Sequence, residues 1–180
     1  SEFNNKSISS LTVCIMDRPR HKKIIDDLKK LKVNIKLITD GDVLGAIYVS
    51  DPKYEIDMFL GIGGGPEGVL AAAALDAYDC HFQGRFIFDN EKDIKEANLM
   101  GITDLNKKYD LNEIVKGDSI FCATGITTSE VLNGIMFDKD KYISETLVTH
   151  KSSNYKKIVK KIISLNEWFQ FLIKNGLIKK

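Results

Sequence analysis

The chain has 180 residues, 43% hydrophobic and 28% charged, which suits a single soluble globular domain with a sizeable core. Its 26 basic and 25 acidic residues leave a formal charge of +1, which argues against a dedicated nucleic-acid binder. No apolar run approaches the ~18 residues of a membrane helix, and the polar start SEFNNKSISS does not read as a signal peptide, so a cytoplasmic protein with no nucleic-acid or membrane partner is expected.

Residues 1–10 read as a disordered leader whose first three residues, Ser1-Glu2-Phe3, look like a cloning remnant. Residues 11–16 (LTVCIM) predict a buried strand, turned by DRPRH into a helix over 21–31 with Ile24, Ile25, Leu28 and Leu31 on one stripe. The alternation of VNIKLI predicts a second strand over 33–38. Asp40-Gly41-Asp42 is a turn signal, after which 43–49 suits a helix. Asp51-Pro52 breaks the chain before a third strand, 56–61, and a helix over 66–78 that starts at Pro66, where a missing N–H costs nothing.

Residues 82–88 predict a fourth strand interrupted by Gly84, 91–100 an amphipathic helix stopped by Gly101, and 111–115 one helical turn. A strand over 119–123 then opens into Thr124-Gly125-Ile126-Thr127-Thr128, with a short helix at 129–132. Residues 142–150 are strand-like. The segment KKIVKKIIS (156–164) fits a helix or an edge strand, with the strand favoured, and 167–177 reads as a helix. The lysine clusters at 22–32 and 156–161 suit a solvated face. Cys14, Cys80 and Cys122 lie far apart beside apolar residues and suggest buried thiols in a reducing compartment.

Strands alternating with helices over the first 130 residues predict an α/β fold, a layered αβα sandwich with a mostly parallel sheet. Residues 11–164 would form one αβ domain, and 165–180 a helical tail. Such sheets bind ligands at the carboxyl ends of their strands. Four unusual loops are expected there: DRPRH, DGD, GIGGGPEG and ATGITT.

Each loop admits more than one chemistry. Arg18 and Arg20 flank Pro19 and match phosphate oxygens bidentately, or else they cap a sheet edge. Asp40 and Asp42 suit sugar hydroxyls, a divalent cation or helix capping. The glycine loop lacks the third glycine of a dinucleotide fingerprint and the lysine of a Walker loop, so a backbone cradle for an anion or sugar phosphate fits better. Glu67 beside it suits an acceptor, a base or a ligand to a hard cation. Thr124, Thr127 and Thr128 suit phosphate, water or helix capping. Gln83 and Arg85 suit structure or site equally, and His21, His81 and His150 read as surface or capping residues.

Taken together, DRPRH, KLITDGDVLGAI, DMFLGIGGGPEGVLAAAA, FQGRF and FCATGIT resemble, in order and spacing, the class II fructose-1,6-bisphosphatases. The resemblance spans 11–161. It implies the second domain of the lithium-sensitive sugar phosphatase superfold, a Mn2+- or Mg2+-dependent enzyme of gluconeogenesis that removes the 1-phosphate of fructose 1,6-bisphosphate, and a homo-oligomer. By position it implies that Arg18, Pro19 and Arg20 hold the distal phosphate, that Asp40, Gly41 and Asp42 hold the sugar, that Gly64 lines the pocket and that Glu67 ligates the metal.

The resemblance is to the carboxyl-terminal half of that family. The amino-terminal half supplies most metal ligands and the groups that position the attacking water, so no catalytic residue is assigned within this chain. Without that half, the chain is expected to show little or no activity. The alternatives are a non-catalytic sugar-phosphate-binding module, as a decayed or regulatory remnant, and, less well supported, a nucleotide-binding α/β domain.

Overall fold

The computed structural model describes residues 2–179. The chain forms two compact units, Ser1–Ser119 and Ile120–Lys180, so the division falls inside the 11–164 span that the sequence presents as one domain.

In the first unit, strand β1 (Thr12–Met16) lies between β2 (Asn34–Ile38) and β3 (Met58–Phe59), and both pairings are parallel. Thr12 pairs with Asn34 and Met16 with Ile38, so the strands are aligned end to end. β3 is short, but the Asp57 N–H donates to the Thr12 carbonyl and the Leu60 N–H to the Cys14 carbonyl, each at 3.0 Å, which carries the pairing across the predicted segment. Val13, Cys14, Ile15 and Met16 are all buried, as a strand covered on both faces requires.

The helices follow the sequence closely. α1 is Lys22–Lys30, α2 Asp42–Ile47 and α3 Gly65–Asp76. On the stripe of α1, Ile25 is buried and Leu31 is exposed. α3 is built from small residues, and its Ala71 and Leu75 pack with Ala46 of α2 into one cluster, against Val49, Phe59, Cys80, Phe82 and Leu111. α4 (Glu91–Leu99) is capped by Asn90, whose Oδ1 accepts from the Asp93 N–H at 3.1 Å, and it ends at Gly101 with φ 84°.

The predicted fourth strand is largely lost. Only β4 (Gln83–Gly84) forms, paired antiparallel with β5 (Tyr109–Asp110) ahead of the single turn α5 (Leu111–Ile114). The expected mostly parallel sheet is therefore corrected to three parallel strands in a mixed α/β unit. Phe86 and Ile87, which would have continued the strand, are exposed.

In the second unit, β8 (Lys141–His150) carries β9 (Tyr155–Ser164) along one edge through ten antiparallel pairs. Its other edge is shared by β6 (Ile120–Thr124) and β7 (Met136–Asp138), both antiparallel. β6, expected as a fifth strand of the parallel sheet, joins β8 because a long hairpin over 141–164 presents it with a full edge.

Residues 155–164 are a strand, as favoured. α6 (Leu165–Lys174) follows, with a capping box in which the Glu167 N–H donates to Ser164 Oγ and the Ser164 N–H to Glu167 Oε2. The expected helix at 129–132 does not form. Ser129 Oγ instead accepts from the N–H groups of Val131 and Leu132, a local turn that competes with helix. Among the described residues, no helix is long and apolar enough to cross a membrane.

The segment before β1 is tied to the sheet. Asp57, whose side chain is 9% exposed, accepts from Lys6 Nζ at 2.7 Å, from Asn4 Nδ2 at 3.1 Å and from the Thr12 N–H at 2.9 Å. Partial burial pushes its carboxyl up, but these donors outweigh burial and hold it below the usual carboxylate range. The resulting stability is present above the unfolded value, about 3.9, and is lost as pH falls through the lower folded one. Asp57→Ala is expected to destabilise the chain at neutral pH by ~1–3 kcal/mol. In urea titrations, the gap to the wild type should close below about pH 3.9; a gap that persists at low pH would contradict this account.

Candidate functional site

Parallel pairing brings the three loops that follow β1, β2 and β3 out at one edge of the sheet, at the carboxyl ends of the strands. These are DRPRH, DGD and the glycine loop. ATGITT lies in the second unit and is described with it below.

The first loop turns tightly. The Asp17 N–H donates to the Ile38 carbonyl at 2.8 Å, and the His21 N–H to the Arg18 carbonyl at 2.9 Å. Pro19 opens a single 3-10 turn, its missing N–H harmless there. Arg18 is half-buried, with Nη1 3.4 Å from the Asp17 carbonyl. Arg20 is exposed, and its Nε donates to the Ile62 carbonyl at 2.6 Å, which ties the first loop to the third. The tie uses one nitrogen of the fork and leaves the terminal NH2 groups for an anion.

In the second loop, Gly41 is the N-cap of α2 in the left-handed region (φ 79°), a conformation open to glycine at no steric cost. Asp40 Oδ1 accepts from the Gly41 N–H and Asp42 Oδ1 from the Val43 N–H, both at 2.9 Å. Asp42 therefore has a structural part, although Gly41 rather than Asp42 caps the helix. Its other oxygen faces the third loop: a Cβ on Gly63 would lie 3.8 Å from Asp42 Oδ2. α2 is seated by Gly45, where an added Cβ would come within 2.7 Å of both Ile38 Cδ1 and Phe59 Cε2.

The third loop is exposed at Gly63, Gly64 and Gly65 and enters α3 with Pro66 in its first turn. Glu67 folds its carboxylate back over Gly64, so closely that a Cβ on Gly64 would collide with Oε2. Arg20, Asp42, Gly64 and Glu67 are thus brought to one edge, by contacts among the loops themselves. Hard oxygen donors suit a divalent cation at Glu67, but among the described residues no three His, Cys, Asp or Glu side chains gather as a metal nest.

His21, expected as a surface or capping residue, does stand at the N-cap of α1 but is buried rather than on the surface. It is 1% exposed, with Nδ1 2.8 Å from the Met16 carbonyl and Nε2 accepting from the Ile62 N–H at 2.9 Å. The signal was its spacing four residues before Ile25, which extends the buried stripe of α1 back by one turn.

In the second unit, the ATGITT threonines brace their own loop. The Thr124 and Thr146 hydroxyls are 2.9 Å apart across β6 and β8, and Thr128 Oγ1 accepts from the Gly134 N–H at 3.0 Å. The Glu145 carboxylate accepts from both the N–H and the side-chain amide of Asn133, closing the loop over 125–135. Gln83 donates to Asp110 at 3.2 Å, a cross-strand role, and Cys122 is exposed rather than buried.

The family described as bacterial fructose-1,6-bisphosphatase, glpX-encoded, matches residues 1–163, nearly the whole chain through β9. The chain belongs to this family. Relatives named D-fructose 1,6-bisphosphatase class 2/sedoheptulose 1,7-bisphosphatase agree with that placement. The protein of Prochlorococcus marinus (strain NATL1A) is 37% identical over 156 aligned positions, 79% of this chain and 47% of the relative. Those of Synechococcus elongatus and Trichodesmium erythraeum are 36% and 34% identical over 172 positions, 88% of this chain and 50% of each relative. The chain spans about half the length of the curated relatives it matches.

Gly45→Ala forces a methyl between Ile38 and Phe59 and should cost ~1–3 kcal/mol by overpacking. The midpoint of urea unfolding reads this, and an unchanged midpoint would mean that α2 has room to give.

Proposed function

We propose that this chain is the substrate-binding, carboxyl-terminal part of a class II fructose-1,6-bisphosphatase. The whole enzyme would convert fructose 1,6-bisphosphate, or sedoheptulose 1,7-bisphosphate, by hydrolysis of the 1-phosphate. The observation that carries the reading is the three-loop edge of the parallel sheet, where Arg20 is anchored on Ile62, Asp42 faces Gly63 and Glu67 folds over Gly64. The relatives' printed names and the family match supply the substrate class. The same likeness underlies the lithium-sensitive superfold, the homo-oligomer and the cytoplasmic, gluconeogenic setting, all of which belong to this proposal.

The chain's own residues divide the work. Arg20, with Arg18 and Pro19 in the same loop, holds the distal phosphate through its free NH2 groups. Asp40 and Asp42 accept from sugar hydroxyls, with Gly41 setting the turn between them. Gly64 lines the pocket and leaves room for the Glu67 carboxylate folded over it, and Glu67 would hold one Mn2+ or Mg2+, whose charge would neutralise the phosphoryl oxygens during in-line displacement. One carboxylate is an incomplete metal site, so chemistry requires ligands beyond those in this chain.

Calorimetric titration with fructose 6-phosphate should show binding, and Arg20→Ala should weaken it by ~1–3 kcal/mol. No heat with fructose 6-phosphate or fructose 1,6-bisphosphate would overturn the binding role. Purified chain with Mn2+ should release little or no phosphate from fructose 1,6-bisphosphate. Robust release would show instead that the chain contains a working active site by itself.

A further inference from the structure

His21 sits at the junction of the loops without any assigned contact to substrate. Its ring bridges backbone segments far apart in sequence. Nδ1 faces the Met16 carbonyl oxygen at 2.8 Å, an atom that only accepts, so Nδ1 carries a proton. On the opposite side, the Ile62 N–H donates to Nε2 at 2.9 Å, which requires a lone pair there. Nε2 also lies 3.0 Å from the Ile62 carbonyl oxygen, which accepts from Arg20 Nε at 2.6 Å and so has a donor without a proton on Nε2. The neutral Nδ1–H tautomer is the form that satisfies both the Met16 carbonyl and the Ile62 N–H.

We infer that His21 is a positioning residue for the candidate site: as the Nδ1–H tautomer it locks Ile62 to the end of β1, so that the glycine loop and Arg20 form one wall of fixed shape. Ile62 is held at two points, its N–H by His21 and its carbonyl by Arg20. The first contact fixes the loop, and the second fixes the arginine on the loop. Releasing the first therefore loosens both, along with Gly63, Gly64 and the Glu67 carboxylate folded over them. The functional consequence rests on the sugar-phosphate reading above; the tautomer and the order of the loop do not.

Three measurements on this chain test the assignment. Long-range 1H–15N NMR near neutral pH should find the His21 proton on Nδ1 and a bare Nε2. In His21→Leu the Ile62 amide should exchange with solvent at least roughly tenfold faster, with the Cys14 and Ile15 amides unchanged. In His21→Gln, whose side-chain oxygen can accept from the Ile62 N–H, protection should largely return. Affinity for fructose 6-phosphate should follow the same pattern, about tenfold weaker in the leucine variant and restored in the glutamine variant.

A proton on Nε2, or equal Ile62 exchange in the wild type and the leucine variant, overturns the assignment. If the leucine variant fails to fold, the tautomer and the glutamine variant's exchange decide. The expected tautomer and exchange in a chain that binds no sugar phosphate would keep His21's positioning role and remove the sugar-phosphate reading.

Discussion

Strand β1 is bonded along both edges, to β2 by five aligned residues and to β3 by two with flanking backbone bonds. That one constraint sets the direction and level of all three strands. Once their carboxyl ends are level, the segments that leave them must turn in the same small region. The chemistry of the site is a consequence of register. Arginines follow β1, acids follow β2 and glycines follow β3, and no element outside this sheet is needed to bring the three loops together.

Close approach does the rest, and it is achieved by leaving side chains out. Gly45 lets α2 settle between Ile38 and Phe59, while Ala46 and Ala71 let α2 and α3 meet. Gly64 gives Glu67 somewhere to fold. Where side chains do act, they act on backbone atoms. Arg20 and His21 grip the same residue, Ile62, from its two polar ends. A loop of glycines has large conformational entropy to lose, and two hydrogen bonds at its second residue are the means by which it is ordered.

The local elements of the first unit were largely legible in the sequence. α1, α3 and α4 stand within two residues of their predicted ends, because period, Pro66 and Gly101 mark them chemically. Partner choice was not legible. A run such as SIFCA is equally apolar for a parallel or an antiparallel neighbour, and β6 took the edge offered by the 141–164 hairpin. Residues 82–88 had strand composition, but Gly84 and the short partner at 109–110 leave only two paired residues. His21 was missed as a buried residue because the apolar stripe was counted from Ile24, although its place four residues before Ile25 continues that stripe, and its backbone partners leave no mark in the sequence. Its neighbours Arg18 and Arg20 were visible because their charge needs explaining.

The parallel sheet and the sheet of the second unit differ in how far the chain must travel to close them. β8 meets β9 through a hairpin, with His150 opposite Tyr155, whereas Val13 must find Met58 with α1, β2 and α2 between them. Closing distant pairs carries the larger entropic cost and slows folding. The edge that gathers the arginine, acid and glycine loops is therefore assembled from long-range contacts and carries that entropic cost, whereas the second unit closes its longest pairing locally.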